Sequence, residues 1–236
     1  LCAAGYNRGS EATAPVSRSD GATMKLEAAI FDLDGTLLDS MPIWQGLGEK
    51  YLLQKKLQPA PGLHDALKTM SLPQAAQHFR AAYGLHEDEE TIIGEIETLI
   101  ADLYRYEVPL KAGAAEYLQT LQEQNVKMCI ATATERNLAE SALERLGIRE
   151  YFSTILTSSE VKTGKDNPLI YQRAFEHLGA PLTKTVIFED ALHAIETATA
   201  AGFRVVGVYD ETAAQDRERI EALTEKYIYS FSDWKG

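Results

Sequence analysis

Three observations predict an α/β fold, with a Rossmann-like doubly wound parallel sheet as its core and an inserted α-helical cap domain. Short, continuous apolar runs recur along the chain. Helical patterns alternate with those runs. Between the first and second runs lie about seventy residues that carry helical signals only.

The first run, Leu26–Asp32, reads as a strand, followed by Val126–Thr132, Thr154–Thr157, Thr185–Glu189 and Phe203–Val208. Several are apolar throughout rather than alternating, which suits strands buried on both faces. Helical patterns fill the intervals at Ala114–Gln124, Asn137–Leu146, Pro168–Leu178 and Ala191–Ala201. The residues that follow them, Asn125, Gly147, Gly179 and Gly202, accept the left-handed backbone that commonly ends a helix. Inside the helical stretch, Ser40 is placed to cap a helix with Pro42 in its first turn. Ser71-Leu72-Pro73-Gln74 has the form of a capping box ahead of Ala75, Ala76 and Phe79. Glu87–Glu90 puts acid where the helix dipole favours it, and Ile92, Ile93, Ile96, Leu99, Ile100 and Leu103 follow at helical spacing. The expected organisation is a leader or tail over 1–23, a core domain over 24–38 and 109–236, and a cap domain over 39–108.

Composition narrows the partners. The 236 residues are 45% hydrophobic and 25% charged, as in a soluble globular protein, and the formal net charge is -12. Such a surface repels nucleic acid and anionic membrane, so neither is expected as a partner, and a phosphate ligand needs local positive charge. No run is long and apolar enough to span a bilayer. The two cysteines, Cys2 and Cys129, do not make a disulfide framework, and Cys129 reads as a small buried hydrophobe. A cytoplasmic monomer is expected.

The richest chemistry lies in Phe31-Asp32-Leu33-Asp34-Gly35-Thr36-Leu37, at the end of the first strand. Residues two apart on a strand face the same side, so Asp32 and Asp34 address the crevice at the carboxyl end of the sheet. Like charges this close repel unless a cation joins them, and magnesium prefers hard oxygen ligands. A carboxylate aimed at a metal-bound phosphate can attack phosphorus, and a second can move the proton that the reaction requires. Three further features fall at strand ends or just beyond. Thr132, with the neighbouring amide of Ala133, can hold phosphate oxygens; Lys165 can neutralise them; Glu189 and Asp190 can complete a magnesium site. Each is weak alone, but one sheet gathers all the strand ends.

With these four motifs in order, the sequence resembles the haloacid dehalogenase superfamily, in its β-phosphoglucomutase-like and sugar-phosphatase-like branch with a helical cap. The resemblance runs from about Met24 to the C-terminus. It implies Asp32 as nucleophile and magnesium ligand, and Asp34 as general acid/base with its main-chain carbonyl on the metal. It implies Thr132 and Lys165 at the phosphoryl group and Glu189 and Asp190 at the metal. The implied activity is magnesium-dependent hydrolysis of a small phosphate ester through an aspartyl phosphate, with the insert closing over the substrate.

Some positions depart from the branch pattern. Trp44 stands where mutases of the branch carry a His, Leu72 where they carry a phosphate-binding Arg, and Glu135 where they carry a Lys. These changes disfavour a phosphosugar mutase, which remains one alternative; a non-catalytic ligand-binding role is another. Asp34 argues against dehalogenation, because dehalogenases of the superfamily lack that acid. Trp44 and Leu72 are the expected specificity residues of the cap.

Overall fold

The computed structural model describes residues 25–67 and 70–234. The expected leader at 1–23, with Cys2, and the positions Met24 and Lys68 lie outside the described residues.

Six parallel strands form one sheet in the order β3-β2-β1-β4-β5-β6. They are β1 (Ala28–Phe31), β2 (Lys127–Thr132), β3 (Ile155–Thr157), β4 (Thr185–Glu189), β5 (Arg204–Val208) and β6 (Lys226–Ile228). The helices are α1 (Met41–Gln54), α2 (Leu63–Leu67), α3 (Leu72–Tyr83), α4 (Glu89–Tyr106), α5 (Ala114–Glu123), α6 (Arg136–Arg145), α7 (Ser158–Val161), α8 (Leu169–Leu178), α9 (Leu192–Ala200) and α10 (Arg217–Leu223). The five strands and four core helices expected from the sequence are all present, with ends shifted by two residues or fewer. Strand β6, α7 and α10 were not foreseen.

The sheet is covered on both faces, and the pleat explains the unbroken apolar runs. Ala29, Phe31, Met128, Ile130, Val186 and Phe188 enter one apolar cluster, with Leu118 of α5 and Leu143 of α6. Their alternates Ala28, Ile30, Cys129, Ala131 and Ile187 enter the other, with Ile170 of α8 and Ile195 of α9. At the centre, Phe31 and Phe188 are in register on β1 and β4, and their rings stack at 4.6 Å. Burial of such a ring stabilises by roughly 1.5–3 kcal/mol. Cys129 is buried as a small apolar residue, and burial pushes its thiol up to about 12.

Among the described residues, the stretch between β1 and α5 holds α1 to α4 and only isolated bridges of β type. Leu52, Phe79, Ile96 and Leu103 of these helices join the first apolar cluster. The two chain crossings lie side by side. Leu38 bridges Leu110 in antiparallel fashion, Asp39 N–H donates to the Pro109 carbonyl (2.9 Å), and Lys111 N–H to that of Leu37 (2.8 Å). Lys111 Nζ clips this junction to the core, 2.7 Å from Asp210 Oδ2 and 3.3 Å from Asp39 Oδ1. Ser40 does precede α1, but its fully buried hydroxyl makes no cap bond, so Pro42 and packing set that helix start. The other start signals act as written. Gln74 Oε1 accepts from Ser71 N–H (2.8 Å), and Asp88 Oδ1 from Thr91 N–H (2.8 Å).

Candidate active site

Strand order reverses direction on either side of β1, because β2 lies on one flank and β4 on the other. Open α/β sheets form their ligand crevice beyond the carboxyl ends of the strands at such a point. There, Asp32 N–H still pairs with the Phe188 carbonyl (3.0 Å), which holds the residue beside β4 after β1 has formally ended. The chain then turns tightly. Leu37 and Leu38 N–H both return to the Leu33 carbonyl, and Gly35 takes φ +83°. A Cβ on Gly35 would overlap the Asp190 carboxylate, so glycine is required for both backbone and space.

Asp32, Lys165, Glu189 and Asp190 are all buried at this crevice. The Lys165 ammonium donates to Asp32 Oδ1 and, at 2.8 Å, to Glu189 Oε2. The Tyr171 hydroxyl donates to the same Glu189 oxygen at 2.9 Å, and Thr36 Oγ1 to Asp190 Oδ1 at 2.8 Å. Lys165 lies in the loop before α8 but is only 7% exposed, so it is part of the site and not a solvated loop charge. Burial opposes its charge, yet Asp32 and Glu189 outweigh that and hold the ammonium well above its usual range.

The carboxylates outnumber the ammonium. Burial, and then the charge of Glu189, push Asp32 up to about 7 despite Lys165. Burial, Glu189 and Asp32 likewise raise Asp190 well above the carboxylate range. One oxygen from each of Asp32, Glu189 and Asp190 lies within 4.8 Å of the others. Hard oxygen donors with uncompensated negative charge are what a magnesium ion suits, so these residues fit the expected metal.

Asp34 faces the same cavity but is held apart from that cluster. Its Oδ1 accepts from the Tyr104 hydroxyl at 2.5 Å, and its Oδ2 from Thr134 Oγ1. Thr132 ends β2, buried, and its hydroxyl oxygen accepts from Thr134 N–H (3.0 Å). Ala133 lies between them, on the cavity wall. The cavity measures about 790 Å³, and Asp32, Asp34, Thr132, Lys165, Glu189 and Asp190 all line it.

On the side of the helical insert, Trp44 lines this cavity from α1. Leu72 does not; it lines a neighbouring, mostly apolar cavity of about 480 Å³ built from the insert and Thr212 of the core, which shares Met41 and Trp44 with the first. Four contributors were missed, among them Tyr171, whose place in α8 reads as core. Thr36 and Thr134 are short polar residues inside motifs that were found, and proximity could have flagged them. Tyr104 lies one turn past Ile100, where helical spacing reads it as core.

Comparison with known proteins agrees with this geometry. The sequence model described as haloacid dehalogenase-like hydrolase matches residues 29–208. A phosphorylated carbohydrates phosphatase of Thermotoga maritima is 27% identical, over 78% of this chain and 85% of the relative. Glycerol-1-phosphate phosphohydrolase 2 of Saccharomyces cerevisiae is 30% identical, over 79% of this chain and 76% of the relative. Among solved structures, a Thermotoga maritima protein assigned as a beta-phosphoglucomutase superposes with TM-score 0.78 at 23% identity, covering 88% of this chain and 96% of that one. That last likeness carries the fold alone. The extent of the family match makes this chain a member of the haloacid dehalogenase-like hydrolase family, and the parallel sheet and the phosphatase relatives agree with it.

Proposed function

We propose that the protein is a magnesium-dependent phosphatase that hydrolyses a small phosphate monoester, a sugar phosphate or similar metabolite, through an aspartyl-phosphate intermediate. The observation that carries this reading is the buried Asp32 carboxylate at the end of β1, in contact with Lys165 and two residues from Asp34, on the wall of one cavity. A bound magnesium ion, held by Asp32, Glu189, Asp190 and the main-chain carbonyl of Asp34, would supply the charge that reconciles a phosphate dianion with these carboxylates.

Lys165, Thr132 and the amide of Ala133 hold the phosphoryl oxygens. A carboxylate oxygen of Asp32 attacks phosphorus, and the bond from phosphorus to the ester oxygen breaks. Protonated Asp34 gives its proton to the departing oxygen, releasing the alcohol. Water then attacks the phosphoryl group on Asp32, Asp34 takes a proton from it, and phosphate leaves with Asp32 restored. Glu189 acts on this sequence through Lys165, whose ammonium donates to Glu189 Oε2, an oxygen that the Tyr171 hydroxyl also holds. The insert, residues 39–108, serves as a cap over a core of 24–38 and 109–236, with the paired crossings as its hinge. All of these residues belong to one chain, so the reading requires no second copy.

Among the described residues lining the cavity, Lys165 is the only Lys or Arg. That favours an ester with one phosphate and an uncharged remainder. It also disfavours a phosphosugar mutase, which must hold a second phosphate. The test is phosphate release from a panel of sugar and polyol phosphates, with and without magnesium. Metal-dependent release by the wild type is expected; isomer interconversion primed by a bisphosphate, without net release, would replace this reading with the mutase.

A further inference from the structure

The acid/base carboxylate receives one of its two hydrogen bonds from the helical insert. Tyr104, on α4, is fully buried, and its hydroxyl donates to Asp34 Oδ1 at 2.5 Å. That hydroxyl in turn accepts from the indole N–H of Trp44, on α1, at 3.0 Å, and the two rings meet edge to face with centroids 6.2 Å apart. The direction of this chain is fixed by chemistry. An indole N–H can only donate, so the tyrosine oxygen is an acceptor toward Trp44 and its own proton points to Asp34. The other oxygen, Oδ2, is held by Thr134, which lines the cavity, whereas Tyr104 does not. A threonine hydroxyl can rotate to accept instead of donate. The two oxygens of Asp34 therefore differ: Oδ1 has a fixed donor on the side of the insert, and Oδ2 an adaptable partner on the side of the cavity.

We propose that Tyr104, itself oriented by Trp44, is a positioning residue that keeps Oδ1 of Asp34 an acceptor, so that the transferable proton resides on Oδ2, toward the substrate. The torsion that swings a carboxylate about its Cβ–Cγ bond has broad wells, so without such a donor either oxygen can carry the proton in either orientation. The inference rests on the acid/base role given to Asp34 above. It assigns Trp44, expected from the sequence to act in specificity, a second role through Tyr104.

The test compares kcat/KM for two esters in the wild type, Tyr104→Phe and Trp44→Phe. For this mechanism kcat/KM reports only the steps through the first release of alcohol, where Asp34 acts as acid. Glycerol 1-phosphate has a leaving group that needs a proton; p-nitrophenyl phosphate has one that does not. Tyr104→Phe is expected to lower kcat/KM for the glycerol ester roughly tenfold to a hundredfold. The loss for the nitrophenyl ester is expected to be several-fold smaller, and Trp44→Phe to act in the same sense more weakly. Equal losses on both esters, or none on either, would overturn the proposal while leaving the phosphatase reading intact. That reading fails separately, if Asp32→Asn keeps full activity. A crystal structure of Tyr104→Phe gives an answer independent of turnover: an Asp34 carboxylate unmoved from its wild-type orientation would also overturn the positioning role.

Discussion

The two sides of the main cavity are built differently. At the strand ends, Asp32, Lys165, Glu189 and Asp190 are buried; Lys165 joins Asp32 to Glu189, Tyr171 donates to Glu189, and Thr36 donates to Asp190. Across from them, α1 presents Met41 and Trp44, and Trp44 is 37% exposed. The first side is charged and nearly closed to solvent; the second is more apolar and half open. A phosphoryl group is the same in every ester, so the groups that handle it can be rigid, whereas the remainder of the ester varies and meets the looser wall. Under the proposed function, that division assigns the chemistry to the strand ends and the selection of the ester to the insert.

The sharpest way to break this comparison is to remove the proposed nucleophile from the rigid side. Asp32→Asn keeps the shape and loses the attacking anion, so phosphate release should fall by roughly 10⁴-fold or more. The buried ammonium of Lys165 loses one of two anionic partners in this variant, so circular dichroism should accompany the assay to establish that it is folded.

The strand-end side also carries the larger pH dependence. In the metal-free protein Asp32 is raised from 3.8 to about 7, so between those values the folded state binds more protons than the unfolded one. Stability should therefore fall as pH rises through that window, by about 4 kcal/mol at most. Magnesium should reverse the loss, with a rise in Tm that grows from pH 5 to pH 8. Scanning calorimetry in chelator and in magnesium measures it, and a metal effect independent of pH would separate the ion from these carboxylates.

The same division governed what one sequence could reveal. Asp32, Asp34, Thr132, Glu189 and Asp190 were legible because each stands at or just beyond the end of an apolar run, a local signal, and a parallel sheet brings such ends together without further information; Lys165, eight residues past β3 with α7 between, was legible only as part of the ordered set of motifs. Tyr104 carries no local signal, since it meets Asp34 across 70 positions. Strand β6 was missed because its three residues sit between polar neighbours and pair on one side only. The Ser40 cap failed because tertiary packing buried the hydroxyl that local preference assigned to the helix.

The junction between the two sides can be weakened alone. Burial raises Asp210, but hydrogen bonds from Lys111 and Thr212 outweigh it and hold the carboxyl below its usual range. A depressed carboxyl contributes stability that is present above its unfolded pKa and lost as pH falls through the folded one. The Asp210 side chain is 3% exposed and that of Lys111 14%, so Lys111→Met leaves a buried charge without its partner. Urea unfolding at pH 7 should show a loss of about 3 kcal/mol. The difference from wild type should shrink below about pH 4, where Asp210 is protonated in the unfolded chain. A constant difference would place the effect in packing of the lysine stem.

The smallest effect is expected where the sequence pointed to specificity. Leu72 begins α3 and lines the second, mostly apolar cavity and not the one at the strand ends; Met41 and Trp44 belong to both cavities. An ester held at Asp32 and Lys165 meets Trp44 before it can meet Leu72. Leu72→Ala should therefore change kcat/KM by about threefold or less and leave the ranking of sugar and polyol phosphates as it is. Trp44→Ala opens the wall between the cavities and should reorder that ranking toward larger esters. If Leu72→Ala alone reorders it, the two cavities act as one pocket, and the insert selects substrate through its interior as well as through the face it turns to the sheet.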